Sequence, residues 1–287
     1  MERDWNKLRR WIVKRRLEGL PVAEICTEAW IGRKMFYRWW ERYQSGGWAG
    51  LEEKPKGRPK GPDVEASLKA RIVRLRRRYG WGPNKIAGCL KHKGFDVDHH
   101  KVYSVICEAG LNNPVSKPRK TWGTSRFVRT HPNCLWQADF KLCSDDWWMI
   151  SFQDDYSRFI TGSARIWNPT GEHAIQLLEK SVKRFGIPEQ VLTDQGSQFK
   201  PVRGGISEFA RYCESIGIEH ITASKRRPTT IGKIEAFHKA YENEAHLFNK
   251  HWSFIRYYNR TRPHQELNYL TPATVYFKTE KCIPIFG

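Results

Sequence analysis

Two small all-α modules followed by a mixed α/β layer is the architecture that this 287-residue sequence predicts, and three observations predict it. The charge is lopsided: residues 1–130 hold 30 Lys and Arg against 13 Asp and Glu, whereas residues 131–287 hold 20 against 17. Two basic stretches rich in Pro, 54–63 and 113–130, fall where neither a helix nor a central strand can run through. Beyond residue 131 the apolar pattern changes from helical spacing to short alternating runs, and then to runs that alternate with amphipathic helices. At this length one hydrophobic core rarely suffices. The boundaries read from these breaks are 1–53, a linker 54–63, 64–112, a linker 113–130, a layer at 131–277 and a tail 278–287.

The first segment carries apolar residues at helical intervals over 5–18, a stop at Gly19, a short helix from Val22 to Thr27, a turn at Trp30-Ile31-Gly32 and a helix over 33–44. A short helix, a turn and a basic helix make the pattern of a helix-turn-helix, whose second helix enters the major groove. Arg33, Lys34, Arg38 and Arg42 are its candidate DNA contacts, and Phe36, Trp39 and Trp40 its packing face. In the linker, Lys56, Arg58 and Lys60 are placed to follow phosphates, and Lys56-Gly57-Arg58-Pro59 resembles the Gly-Arg-Pro core of AT-hook peptides. The second segment repeats the design with a helix over 64–79, a helix capped by Asn84 that runs to Leu90, and a recognition helix over 99–109 that opens on His99, His100 and Lys101. Cys89, His92, His99, His100 and Cys107 lack the spacing of a zinc finger, and the thiols fall where helices pack.

In the second half, runs at 135–144, 147–155 and 159–167 predict an antiparallel meander. A helix over 172–185, a strand over 190–193, a helix over 207–216, a strand over 218–223 and a helix over 233–248 follow. Three carboxylates stand where solubility would not put them. Asp139 interrupts the apolar run Leu135-Trp136-Gln137-Ala138, Asp194 ends a strand, and Glu235 opens a helix. A buried charge is costly unless paired or bound to metal, and carboxylate oxygens without His or Cys suit Mg²⁺ or Mn²⁺. Asp154 and Asp155 close a strand and read as turn-forming or supporting acids.

Composition narrows the partners. Fifty Lys and Arg against thirty Asp and Glu leave +20, the footprint of a protein that meets double-stranded DNA rather than a small-molecule substrate. The longest uncharged apolar stretch, near Trp147–Phe152, is far short of the roughly 20 residues that span a bilayer, so no membrane is expected. No apolar segment follows the charged N-terminus, which predicts a cytoplasmic, nucleoid-associated location. Seven cysteines without any CxxC predict reduced thiols.

Five stretches, taken together, resemble the integrase catalytic core of DDE transposases: Trp136-Gln137-Ala138-Asp139-Phe140, Asp155-Tyr156-Ser157-Arg158, Thr193-Asp194-Gln195-Gly196-Ser197-Gln198-Phe199, Gly232-Lys233-Ile234-Glu235-Ala236-Phe237-His238, and Tyr258-Asn259-Arg260-Thr261-Arg262-Pro263-His264 with Thr271-Pro272. The tandem helix-turn-helix arrangement ahead of them is similar to that of insertion-sequence transposases related to retroviral integrases. The resemblance implies a ribonuclease H-like fold, with Asp139, Asp194 and Glu235 as a catalytic triad holding two Mg²⁺ or Mn²⁺ ions. It further implies a homo-oligomer on DNA that cleaves the 3′ ends of a mobile element and transfers the 3′-OH to target DNA. Lys225, Arg226, Lys233 and Lys239 would grip phosphates beside the metals. Gln195 stands where the family usually has Asn, Ile231 where Asn is common, and the stretch between Asp194 and Glu235 is longer than usual. Two other readings fit the same residues: a catalytically silent DNA-binding regulator, and a ribonuclease H-like nuclease that cuts without joining.

Overall fold

The computed structural model describes residues 4–53, 63–112, 128–199, 205–223 and 232–278. Lys56, Arg58, Lys60, Lys225 and Arg226 lie outside the described residues, as do most of both linkers and the tail. The chain folds as two compact units, Met1–Asp63 and Val64–Gly287. Among the described residues, no helix is long and apolar enough to cross a membrane.

The first unit consists of helices α1 (Trp5–Leu17), α2 (Val22–Ala29) and α3 (Arg33–Gly46), closed by a 3₁₀ turn at Ala49–Leu51. Asp4 starts α1 by accepting the backbone N–H groups of Asn6 and Lys7, both at 3.1 Å. Trp30, with φ 54°, makes the left-handed bend between α2 and α3. Ile12, Val13, Ile25, Phe36, Trp39 and Leu51 form a core of their own, with Trp40 packed at its edge.

The second unit begins with α4 (Ala66–Tyr79), α5 (Pro83–Lys91) and α6 (His99–Glu108). Asn84 does not cap α5. Gly82 is the cap and Pro83 the first helical residue, a place where its missing N–H costs nothing. Strands β1 (Leu135–Leu142), β2 (Trp148–Asp154) and β3 (Ile160–Ile166) form the expected meander, followed by α7 (Gly171–Phe185), β4 (Gln190–Thr193), α8 (Glu208–Ser215), β5 (Glu219–Thr222) and α9 (Gly232–Glu244). Two further helices that the sequence reading did not mark complete the unit, α10 (His251–Arg260) and α11 (Pro272–Lys278).

The five strands lie in the order β3-β2-β1-β4-β5, with β1, β4 and β5 parallel and the other pairs antiparallel. One set of side chains from the sheet, including Trp136, Ala138, Ile150 and Phe152, packs with Leu178 of α7 and Phe209 and Cys213 of α8. A second core joins Met149 and Ile160 to Phe237 of α9 and to Phe254 and Tyr257 of α10.

That second core also contains Ile72, Trp81, Ile86, Leu90, Val102 and Ile106. The helices of 66–108 are therefore not a free-standing module, although the sequence break after 112 predicted one. Trp81 Nε1 donates to the Tyr257 hydroxyl at 2.8 Å, and that hydroxyl donates to Glu244 at 2.9 Å. Arg262 closes the cluster with Nε 2.9 Å and Nη2 2.8 Å from the two Glu244 oxygens. Gly88 of α5 lies against the Tyr269 ring so closely that a Cβ there would sit 2.2 Å from it.

Candidate active site

The acidic site follows from strand register. Leu135 to Ala138 of β1 pair with Gln190 to Thr193 of β4 in parallel, so Asp139 and Asp194 stand side by side one step beyond the last pair. Adjacent strands are about 4.8 Å apart. Along β1, Gln137 and Asp139 point to one face, and α9 packs over that strand. Glu235 lies in the first turn of α9, near enough for its charge to act on Asp139.

Hydrogen bonds set the position of each carboxylate. Asp194 Oδ1 accepts the Gly196 N–H at 2.9 Å, and a Cβ on residue 196 would lie 3.0 Å from that oxygen and 2.8 Å from Gln198 Oε1, so a larger residue there would displace the Gln198 side chain and crowd Asp194. Phe199 anchors the loop among Phe140 and Phe209, and Gln195 Nε2 donates to the Ala223 carbonyl at 3.0 Å. The N-terminus of α9 is held from below. Gln137 Oε1 accepts the Ile234 N–H at 3.3 Å, while Gln137 Nε2 donates to Asp155 at 2.8 Å. Lys233 Nζ donates to the other Asp155 oxygen at 2.6 Å. Glu235 thus directly follows two residues that are tied down, Lys233 to the turn after β2 and Ile234 to β1.

The electrostatics are those of crowded like charges. Burial, then Asp194 and Glu235, push the Asp139 carboxyl up to about 7. His238, one turn beyond Glu235, holds Nδ1 3.5 Å from Asp139 Oδ2, while its buried Nε2 has no hydrogen-bond partner among the described residues. Burial and then Lys141 bring His238 down to about 4, so it is neutral at neutral pH. Among the described residues, the ligand-type groups whose atoms all lie within 4.8 Å of one another are Asp98-His99-His100 and His131-Cys134-Glu189. The three carboxylates stand wider apart than either.

Asp154 and Asp155 are buried and structural. Asp154 accepts the N–H groups of Asn133 and Ser157, both at 2.8 Å, and the Ser157 hydroxyl, which builds the turn after β2. Burial raises the Asp154 carboxyl, with those donors opposing it.

The basic residues divide into free and committed. Arg33, Lys34 and Arg38 are exposed on α3, whereas Arg42 turns inward, its Nε 2.8 Å from the Gly50 carbonyl and its Nη2 2.6 Å from that of Glu52. Those carbonyls end the loop after α3 and take the guanidinium that was expected at DNA. His99, His100 and Lys101 are exposed at the start of α6. Lys239 is exposed one turn past Glu235, but Lys233 is spent on Asp155 because that carboxylate is almost wholly buried and needs a cation. Gln137, Gly196 and His238 were missed as site residues. A polar residue two positions before Asp139 in an apolar strand was the available signal for Gln137.

The model of the integrase core domain matches residues 129–228, that of a homeodomain-like domain 35–106 and that of a helix-turn-helix domain 8–60. The chain is 27% identical over 243 residues, 74% of its length and 82% of the relative's, to an uncharacterized 31.7 kDa protein of insertion element IS407 from Burkholderia multivorans. It is 28% identical over 123 residues, 35% of its length and 34% of the relative's, to a putative integrase of Spiroplasma virus SpV1-C74. A solved simian T-cell lymphotropic virus intasome, in complex with a PP2A regulatory subunit, aligns over 75% of this chain and 77% of its own with 17% identity and a TM-score of 0.45. The chain thus carries an integrase core domain over residues 129–228 behind helix-turn-helix domains, and over 74% of its length it is similar to an insertion-element protein.

Proposed function

We propose that the protein is a DNA transposase that binds the ends of a mobile element, nicks them to free 3′-hydroxyls and joins those hydroxyls to target DNA. One observation carries the reading: Asp139 within β1 and Asp194 just past the end of the parallel strand β4 stand side by side, and a clamped helix brings a glutamate to them. An all-oxygen donor set in which burial and then repulsion from Asp194 and Glu235 hold one carboxyl up to about 7 fits hard divalent cations. Asp139, Asp194 and Glu235 would hold them. Two Mg²⁺ or Mn²⁺ ions, when bound, supply activation of the attacking oxygen and charge relief on the leaving oxygen.

The chain's own residues do the rest. Gly196 N–H orients Asp194, and the Gln137-Asp155-Lys233 network holds the first turn of α9 so that Glu235 needs no reorganisation to meet Asp139. Lys239, exposed on the same face of α9, is placed to take a phosphate beside the carboxylates. Arg33, Lys34 and Arg38 on α3 form the grip on the element end, with His99, His100 and Lys101 on α6 as a second contact. A homo-oligomer, each copy carrying one end, brings two hydroxyls to the target.

The test uses a labelled duplex of the element's own end, a plasmid target and Mg²⁺. Metal-dependent nicking and a joined product, both lost in Asp194→Asn, support the reading. Cut DNA that is never joined assigns a nuclease, and end binding with neither product assigns a regulator with a silent core.

A further inference from the structure

The register that sets Asp139 beside Asp194 one step after the β1–β4 pairing also sets Cys134 beside Glu189 one step before it. Five residues of extended strand separate the two places, about 16 Å. At the near end His131 joins the pair, so that an imidazole nitrogen, a thiol sulfur and a carboxylate oxygen all lie within 4.8 Å of one another. His131 Nε2 is 3.5 Å from Glu189 Oε1, and the Cys134 sulfur lies within 4.8 Å of the same carboxylate.

We infer that His131, Cys134 and Glu189 form a Zn²⁺ site, separate from the acidic site, that staples the starting ends of β1 and β4. Sulfur, nitrogen and oxygen donors in one cluster select a borderline ion such as zinc over Mg²⁺. His131 Nδ1 is 3.0 Å from the Pro132 carbonyl, and that bond puts its proton on Nδ1 and leaves Nε2 to bind metal. On binding, the Cys134 proton leaves to solvent and a water takes the fourth position, on the open side where Glu189 is exposed.

The cluster is built rather than incidental. Asn133, between His131 and Cys134, is fixed on every side: its N–H donates to Asp154 at 2.8 Å, its Nδ2 to the Phe185 carbonyl at 2.8 Å, and its carbonyl accepts the Glu189 N–H at 2.8 Å. Trp136 Nε1 and the Tyr276 hydroxyl both donate to its Oδ1. The ligand atoms are therefore presented on a rigid turn whose far side is tied directly to Glu189, so little is lost in ordering them.

Titration of Co²⁺ and Zn²⁺ into the full-length, metal-free protein tests the site. We expect one equivalent of Co²⁺ to give a thiolate-to-metal charge-transfer band, displaced by one equivalent of Zn²⁺. Zinc at about a hundred times its Kd should raise Tm by about 5–10 °C. Cys134→Ser should abolish the band. Glu189→Gln, at an exposed residue whose replacement leaves the turn folded, should weaken zinc binding by about tenfold or more. Asp139→Asn should leave both signals unchanged, which separates this site from the acidic one. A wild-type protein with no charge-transfer band, a band that survives Cys134→Ser, or an unchanged zinc affinity in Glu189→Gln would overturn the assignment.

Discussion

The two helix-turn-helix segments look alike in sequence and are used differently. The first, α1 to α3, closes a core of its own and leaves Arg33, Lys34 and Arg38 outside. The second, α4 to α6, buries Trp81, Ile86 and Val102 in the same core as α10 and as α9, the helix that carries Glu235. A motif of the same outline is thus a self-contained module in one place and a wall of the unit that holds the acidic site in the other. What decides is the second partner that each apolar face finds. Trp39 finds helices of its own module, whereas Trp81 finds the Tyr257 hydroxyl.

The largest effect should come from removing the chemistry while sparing both modules. Asp194→Asn should lower nicking and joining by about 10³-fold or more, as expected when several kcal/mol of charge stabilisation is lost. End binding, measured by gel shift, should stay within a few-fold, and an equal loss of binding would contradict the division of labour.

Next in size is the joint between the second module and the core. Arg262 and Glu244 are mostly buried, and truncating one partner leaves the other charge stranded. Arg262→Ala should cost about 2–4 kcal/mol of stability in urea unfolding. Arg262→Lys should not restore it, because a lysine cannot reproduce the paired bonds to both carboxylate oxygens. The first module should unfold at its unchanged midpoint in both variants, and a shift there would mean that the two units are not separate.

A smaller and pH-dependent effect belongs to Asp139. Its folded carboxyl is pushed up to about 7 from an ordinary value of 3.8, so the folded protein binds a proton more tightly than the unfolded chain does. The Asp139 charge therefore costs stability as pH rises from about 4 to about 7. With a chelator present, Asp139→Asn should be more stable than wild type by about 1–3 kcal/mol at pH 8, with the gain gone below pH 4. A variant less stable than wild type at pH 8 would contradict the crowding of charge at this site.

Finest of all is the salt response of the first module. Replacing Lys34 or Arg38 with Ala should each reduce the slope of log binding constant against log salt by about 1. Arg42→Ala should instead destabilise the module, since its guanidinium holds the Gly50 and Glu52 carbonyls. A drop in slope for Arg42→Ala without loss of stability would restore it to the DNA face.

Much of this was legible in the sequence because it rests on local rules. The meander, the mixed sheet and the placing of Asp139, Asp194 and Glu235 follow from apolar periodicity and from charges in the wrong surroundings. Residues whose meaning depends on a distant partner were not legible. Nothing local says that Lys233 will be taken by Asp155, that Arg42 will turn to its own loop, or that Gly88 will accommodate Tyr269. Helix α10 was hidden for a similar reason. Its Asn259, a poor helix former, faces inward to bond the backbone N–H and carbonyl of Ile160 at 2.9 Å each.

In the proposed function, Asp139, Asp194 and the clamped Glu235 perform strand transfer while the basic helices hold the DNA. One assay addresses it directly: the element-end duplex and plasmid target with Mg²⁺, comparing wild type with Asp139→Asn. Nicked and joined products are expected from wild type only, with equal end binding in both proteins. Joined product from Asp139→Asn, or end binding without any product from either protein, would contradict it.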